Sequence, residues 1–142
     1  FAVHGILNEE KPQFSALVLS LSQASNNEDG LLQVHEIFNL KLNTELVVLS
    51  ACETGLGREI NGEGLIGMTR AFFYAGATSV ATSLWKVQDQ STAKLMVKLY
   101  RNLKNEKLNK AEALRQAQLE LITEGDFAHP YYWAAFILVG RY

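Results

Sequence analysis

The stretch from Glu45 to Gly57, "ELVVLSACETGLG", places an apolar, β-branched run directly before glycine and polar residues. Such a run is typical of a buried β-strand, and the change in composition marks its carboxyl end. The stretch contains Cys52, the single cysteine of the chain. A lone cysteine is often a small buried apolar side chain, but at the end of a strand it can also be a nucleophile. The rest of the sequence has to decide between these roles.

Around this stretch, short apolar runs alternate with longer segments of helical period. The other predicted strands are "FAV" (1–3), "SALVLS" (15–20), "TSVATSLW" (78–85) and "YYWAAFILV" (131–139). Helices are predicted at "VHEIFNL" (34–40), "GEGLIGMTRAFFYAG" (62–76), "DQSTAKLMVKLYRNL" (89–103) and "NKAEALRQAQLELITEG" (109–125). The alternation predicts an α/β fold with a mainly parallel sheet flanked by helices. We expect the strands over 78–85 and 131–139 to extend the sheet that contains Cys52.

Three residues mark the ends of the predicted helices. Gly76 is expected to stop the helix over 62–76, while Asn109 and Gly125 are expected to cap the last long helix. The helix over 89–103 has an apolar stripe that we expect to face the core. The stripe consists of Ala93, Met96, Val97, Tyr100 and Leu103.

The composition limits the possible classes of function. A chain of 142 residues with 48% apolar composition fits one domain over 1–142, with no internal boundary. Thirteen basic and fifteen acidic residues provide no basic surface for direct nucleic-acid binding. No apolar segment approaches the roughly 20 residues of a membrane span, and one cysteine cannot form an internal disulfide. We therefore expect a cytoplasmic protein without a membrane segment, and the start "FAVHG" reads as the middle of a longer polypeptide.

Two reactive side chains lie at predicted strand ends: His4 follows "FAV", and Cys52 follows "ELVVLSA". If the two strands are parallel neighbours, both side chains lie at the same edge of the sheet, where sites of open α/β sheets form. A nearby imidazole would activate the thiol, whose free pKa is about 8.5, and later protonate the leaving amine. Gly5 and Cys52 would offer backbone N–H groups to an oxyanion. A buried structural cysteine and a strand-end histidine remain the alternative.

The ordered motifs of the chain carry a resemblance that favours a catalytic role of His4 and Cys52 over a structural one. They are "HG", "LVVLSACETGLG", "GEGLIGMTRAFFYAGATSVATSLWKVQDQST", "ALRQAQ" and "HPYYWAAFILVG". Together they resemble the CHAT domain, a caspase-like and separase-like module found attached to tetratricopeptide repeats. The resemblance runs from Val3 to Gly140. It implies a caspase-hemoglobinase fold and a cysteine endopeptidase whose catalytic dyad is His4 and Cys52.

The resemblance also implies partners. CHAT domains have further strands before the His-Gly strand, so this chain corresponds to the C-terminal, catalytic part of the domain. We expect an upstream tetratricopeptide-repeat region, a protein or peptide substrate and, because a missing strand leaves an edge unpaired, a possible homo-oligomer. Activity of the fragment alone is an open question.

Asp89 and Trp85 are the candidates for substrate binding. Asp89 precedes a helix, where an acid caps the first turn. Similarity to separases instead implies that it lines the pocket for an arginine side chain, so that cleavage follows Arg or Lys. The Trp85 side chain is predicted to lie in the apolar core or to form part of the wall of that pocket. We expect no cofactor and no metal, since His35 and His129 have no ligand partners at suitable spacing. The alternative function is a catalytically silent caspase-like scaffold or protein-interaction module.

Overall fold

The computed structural model describes residues 1–8, 10–19, 29–50, 52–53, 63–105 and 107–142, and only the backbone of Cys52, Glu53 and Glu63. The chain divides into two compact units, Phe1–Val80 and Ala81–Tyr142. Each unit has its own apolar core. The mixed content of strands and helices confirms the α/β class.

The first unit is built around a four-stranded sheet. Its strands are β1 (His4–Ile6), β2 (Ala16–Val18), β3 (Leu31–Gln33) and β5 (Cys52–Glu53), and a short 3-10 turn, Pro12–Phe14, lies between β1 and β2. The strand order is β3-β2-β1-β5. β1 pairs with β5 in parallel orientation, so the predicted parallel neighbours of the site are confirmed. The β1–β2 and β2–β3 pairs are antiparallel, so the expectation of a mainly parallel sheet is wrong for this sheet.

The predicted strands differ from the observed ones in three respects. The first strand begins at His4 and continues through Gly5, because the backbone pairing with β2 and β5 runs past the glycine. The strand β3 lies in a segment for which no strand is predicted, although all three of its residues pair with β2. The run over 45–51 contains β4 (Val47–Leu49) and is not one strand with β5. An apolar run indicates burial and does not identify the partner strand.

The partners of β4 and β5 explain the division of that run. β5 pairs with β1, whereas β4 belongs to a three-stranded sheet of order β4-β6-β7, in which β6 is Ser79–Ser83 and β7 is Phe136–Gly140. The expectation that the strands over 78–85 and 131–139 extend the sheet of the site is therefore wrong. Ser50, directly after β4, lies beside the start of the chain, since its N–H donates to the Phe1 carbonyl at 2.9 Å.

Helices α1 (Val34–Ile37) and α2 (Glu63–Tyr74) complete the first unit. Within the helix predicted over 62–76, α2 turns Met68 and Phe72 into the core, where both are at most 1% exposed. Gly76 ends the helix with a φ of +107°, and a Cβ atom there would lie 2.1 Å from the carbonyl oxygen of Leu42. The close approach of two backbone segments therefore requires glycine at this position.

The second unit consists mainly of helices. They are α3 (Asp89–Asn105), α4 (Lys110–Glu124) and α5 (Pro130–Trp133). The caps of α4 are confirmed, because the Asn109 side chain accepts a hydrogen bond from the Glu112 N–H at 2.9 Å and Gly125 has a φ of +86°. Helix α5 replaces the first part of the strand predicted over 131–139, since Pro130 starts a helical turn. None of the helices in the described ranges is long and apolar enough to cross a membrane.

The face of α3 that packs into the core differs from the predicted stripe. Val97 is 70% exposed and Tyr100 is 53% exposed, although both belong to that stripe. The buried residues lie on the opposite side of the helix, which faces α4. They are Ser91, Leu95, Lys98, Leu99 and Asn102. Of the predicted stripe, only Met96 and Leu103 are partly buried against the second core, whereas the polar groups of Lys98 and Asn102 find partners on α4.

Candidate functional site

The sheet of the first unit brings His4 and Cys52 to the same register position. The Cα partners across β1 and β5 are His4 with Cys52 and Gly5 with Glu53. Adjacent strands lie about 4.8 Å apart, and paired positions occupy the same face of a sheet. Positions 4 and 52 are therefore neighbours on one face despite their separation in sequence. His4 is exposed, whereas the thiol of Cys52 lies outside the described part of the chain.

Gly5 lies inside the sheet and not at its rim. It is buried, and its Cα partners are Leu17 on β2 and Glu53 on β5. A glycine between two strands allows close approach of the neighbouring backbone. The predicted donation of the Gly5 and Cys52 backbone amides to an oxyanion is not decided by this register and stays a prediction.

The loop after β1 is held by side chains that the sequence analysis did not single out. The Asn8 N–H donates to Ser15 Oγ at 3.0 Å, and the Lys11 N–H donates to Asn8 Oδ1 at 2.8 Å. Ser15 is completely buried, and Gly64 of α2 lies against it. The sequence signal for this contact is Gly64 in "GEGL". Glycine inside a helix is costly, so its presence indicates that the backbone approaches a neighbour closely.

Asp89 and Trp85 lie in the second unit, whereas His4 and Cys52 lie in the first. Asp89 is the exposed first residue of α3, which confirms its position as a first-turn acid. Trp85 is half-buried against the second core, and its Nε1 donates to the Tyr131 carbonyl at 3.0 Å. Contact of either residue with a substrate stays a prediction.

Lys98 has the most strongly perturbed environment among the lysines described. Its side chain is 11% exposed and its ammonium contacts Glu124 and, at 3.3 Å, Glu120. The hydrogen bond to Glu124 raises the pKa of Lys98 against the opposing effect of burial. Burial raises the pKa of the Glu120 carboxyl, but hydrogen bonds from Arg101 and Lys98 outweigh this effect and hold the pKa below its usual value. This network joins α3 to α4 and has a structural role.

An open groove of about 370 Å³ lies beside the Lys98 network. Its lining residues are Ala93, Lys94, Val97, Lys98, Arg101 and Glu124. The predicted pocket residues Asp89 and Trp85 are not among them. Within the described residues, no group of three His, Cys, Asp or Glu side chains is placed to hold a metal ion.

Comparisons with known proteins agree with the resemblance seen in the motifs. A family model described as "CHAT domain" matches residues 1–141. Tetratricopeptide repeat protein 28 of Mus musculus is 33% identical over 123 residues, which cover 87% of this chain. The protein of the same name in Homo sapiens is 32% identical over 121 residues, or 85% of this chain. The chain spans about 5% of the length of both relatives.

Proposed function

The chain belongs to the CHAT domain family, which is related to caspase-like peptidases, and we propose that it supplies the His4–Cys52 dyad of a cysteine endopeptidase. The observation that carries this proposal is the register of β1 and β5, which places His4 opposite Cys52. A caspase-type arrangement of the complete sheet is part of the proposal. The exposure of His4 further supports it, because a substrate has to reach the imidazole.

In the proposed mechanism, the Cys52 thiolate attacks the carbonyl carbon of the scissile peptide bond, and His4 takes the thiol proton. The Gly5 and Cys52 amides stabilise the oxyanion. His4 then transfers its proton to the leaving amine, and the C–N bond breaks to leave an acyl-enzyme. Water, deprotonated by His4, hydrolyses the thioester and restores the thiol. These steps need no cofactor.

Covalent labelling of the natural full-length protein tests the dyad. A peptidyl electrophile with arginine before its reactive group should form one adduct, located on Cys52 by mass spectrometry. Cys52→Ala should abolish the adduct, and His4→Ala should slow its formation by about 100-fold, the usual range for loss of an acid-base group. Equal labelling of wild type and His4→Ala would contradict the dyad. Absence of labelling in both would favour the silent scaffold or interaction module.

Asp89 is proposed to select substrates with arginine or lysine before the scissile bond, and Trp85 to contribute to the wall of that pocket. A charge-assisted hydrogen bond contributes about 1.5 to 3 kcal/mol, which corresponds to a preference of roughly ten- to a hundredfold. Asp89→Asn is the informative variant, because asparagine has nearly the same size and shape as aspartate and removes only the charge.

Asp89→Asn should therefore slow labelling by the arginine probe at least tenfold, without changing alkylation of Cys52 by iodoacetamide. A matched probe with aspartate in place of arginine should react slowly with both proteins. If the arginine probe reacts equally with wild type and Asp89→Asn, Asp89 is only an acid in the first turn of α3 and the pocket lies elsewhere.

The name of the two relatives is the basis for the proposed partners of this domain. Because both relatives are named as tetratricopeptide repeat proteins, we propose that this domain is attached to such repeats in its full-length protein and that its substrate is a protein or peptide. A cytoplasmic location and a homo-oligomer are proposed with it. Light scattering of the full-length protein at tens of micromolar tests the oligomer, which a clean monomer would contradict.

A further inference from the structure

The loop that follows β1 meets the start of α2 at one tight contact in the first unit. A Cβ atom on Gly64 would lie 3.2 Å from Ser15 Oγ and 3.3 Å from Leu7 Cδ2. Both distances are shorter than ordinary van der Waals contact. By comparison, a Cβ atom on Gly67, one turn later in α2, would meet Pro12 at 3.8 Å. Of these two glycines of α2, Gly64 therefore lies closer to its neighbours.

This contact lies at the end of the strand that carries His4. Leu7 follows directly after β1, which contains His4, and Ser15 directly precedes β2, which pairs with β1. A change in the separation of Leu7 and Gly64 therefore acts on the strand of His4. We infer that Gly64 and Ser15 are positioning residues, which fix the place of this strand and, through it, of the His4 imidazole relative to Cys52. The inference rests on the proposed function for its chemical readout.

The neighbours of Gly64 cannot yield freely. The Ser15 carbonyl accepts from the Val34 N–H at 2.8 Å, and the Ser15 side chain is bonded to the loop after β1. Leu7 Cβ would lie 3.4 Å from the added atom, and a Cβ atom moves only with its backbone. A methyl group at position 64 must therefore displace α2 or the end of β1 by a few tenths of an ångström.

Such a displacement is large enough to be measured. A misplacement of about 1 Å between reacting groups costs roughly 100-fold in rate, so a few tenths should cost about three- to tenfold. In the full-length protein, Gly64→Ala should slow labelling of Cys52 by the arginine electrophile by this factor. The matched control is Gly67→Ala, which makes the same exchange in the same helix and should stay within about twofold of wild type, because alanine there has room. Thermal unfolding verifies that both variants are folded.

A second readout separates positioning from stability and from peptidase activity. The rate of Cys52 alkylation by iodoacetamide, measured against pH, follows the ionisation of the thiol next to its imidazole and needs no peptide substrate. Gly64→Ala should shift the midpoint of this profile, and Gly67→Ala should superimpose on wild type. If Gly64→Ala fails to fold, Ser15→Ala replaces it, because it removes the acceptor for Asn8 and leaves space at Gly64.

The outcomes distinguish failure of the proposed peptidase function from failure of the positioning role of Gly64 and Ser15. If wild type does not react with the peptidyl probe, the proposed function fails, while the iodoacetamide profiles still test the positioning of Cys52. If wild type reacts and Gly64→Ala matches Gly67→Ala in both rate and pH profile, Gly64 and Ser15 have no positioning role. A loss of labelled amplitude with an unchanged rate constant and pH profile would also overturn the inference, since it would show only a loss of folded protein.

Discussion

Replacement of Lys98 by methionine tests the ion-pair network between α3 and α4. Methionine keeps most of the volume of the buried stem but removes the ammonium that contacts Glu120 and Glu124. A hydrogen bond to a charged group contributes about 1.5 to 3 kcal/mol, and the partial exposure of Glu124, 47%, favours the lower value. Two such bonds give about 3 kcal/mol, and relief of the desolvation of Lys98 returns about 1 kcal/mol. We therefore expect Lys98→Met to lower the free energy of unfolding by about 2 kcal/mol.

The stability lost in Lys98→Met should depend on pH in a defined direction. The pKa of Glu120 is lowered from its usual value of 4.5, so its contribution is complete above that value and is lost as the pH falls through the lower, folded-state pKa. The pKa of Lys98 is raised from 10.5, so its contribution is complete below that value and is lost as the pH rises through the higher, folded-state pKa. The difference between wild type and Lys98→Met should therefore be largest between about pH 5 and pH 10.

Urea unfolding at several pH values measures this difference. A domain of this size has an m-value of about 2 kcal/mol per molar urea, so the midpoint at pH 7 should fall by about 1 M. Arg115→Met is the control, because Arg115 pairs with Glu112 within α4 and both side chains are largely exposed. That variant should cost about 0.3 kcal/mol. If Lys98→Met costs no more than the control, or costs as much at pH 3 as at pH 7, the ionic reasoning is refuted.

Variants at three further positions test the local backbone structure. Gly76→Ala should destabilise the first unit by about 3 kcal/mol or more, since it combines a positive φ with a Cβ atom 2.1 Å from the Leu42 oxygen. Gly125→Ala, with a positive φ but no atom within 4 Å, should cost about 1 kcal/mol, and equal losses in the two urea curves would contradict the role of the close approach. Asn109→Ala should cost about 1 kcal/mol through the lost cap of the Glu112 N–H, whereas Asn109→Ser should keep most of the stability.

The local elements of this protein could be predicted from its sequence because their signals act over a few residues. Asn109 and Gly125 cap α4 as expected, since a capping side chain and a positive φ need no distant partner. The period of apolar residues also located α2 with its buried Met68 and Phe72. The pairing of His4 with Cys52 was predicted because the strand ends carried two reactive side chains within recognisable motifs.

Tertiary structure decided which partners these elements have. The apolar run around Val48 divides between two sheets, and the pattern of one strand contains no information about which neighbour accepts its hydrogen bonds. The buried face of α3 includes Lys98 because carboxylates on α4 satisfy its charge, while the apolar side chains of Val97 and Tyr100 are left exposed. Likewise, the tight contact at Gly64 depends on where Ser15 lies, 49 positions earlier in the chain. A sequence pattern reports what a residue prefers, but burial and contact depend on groups that folding brings from elsewhere.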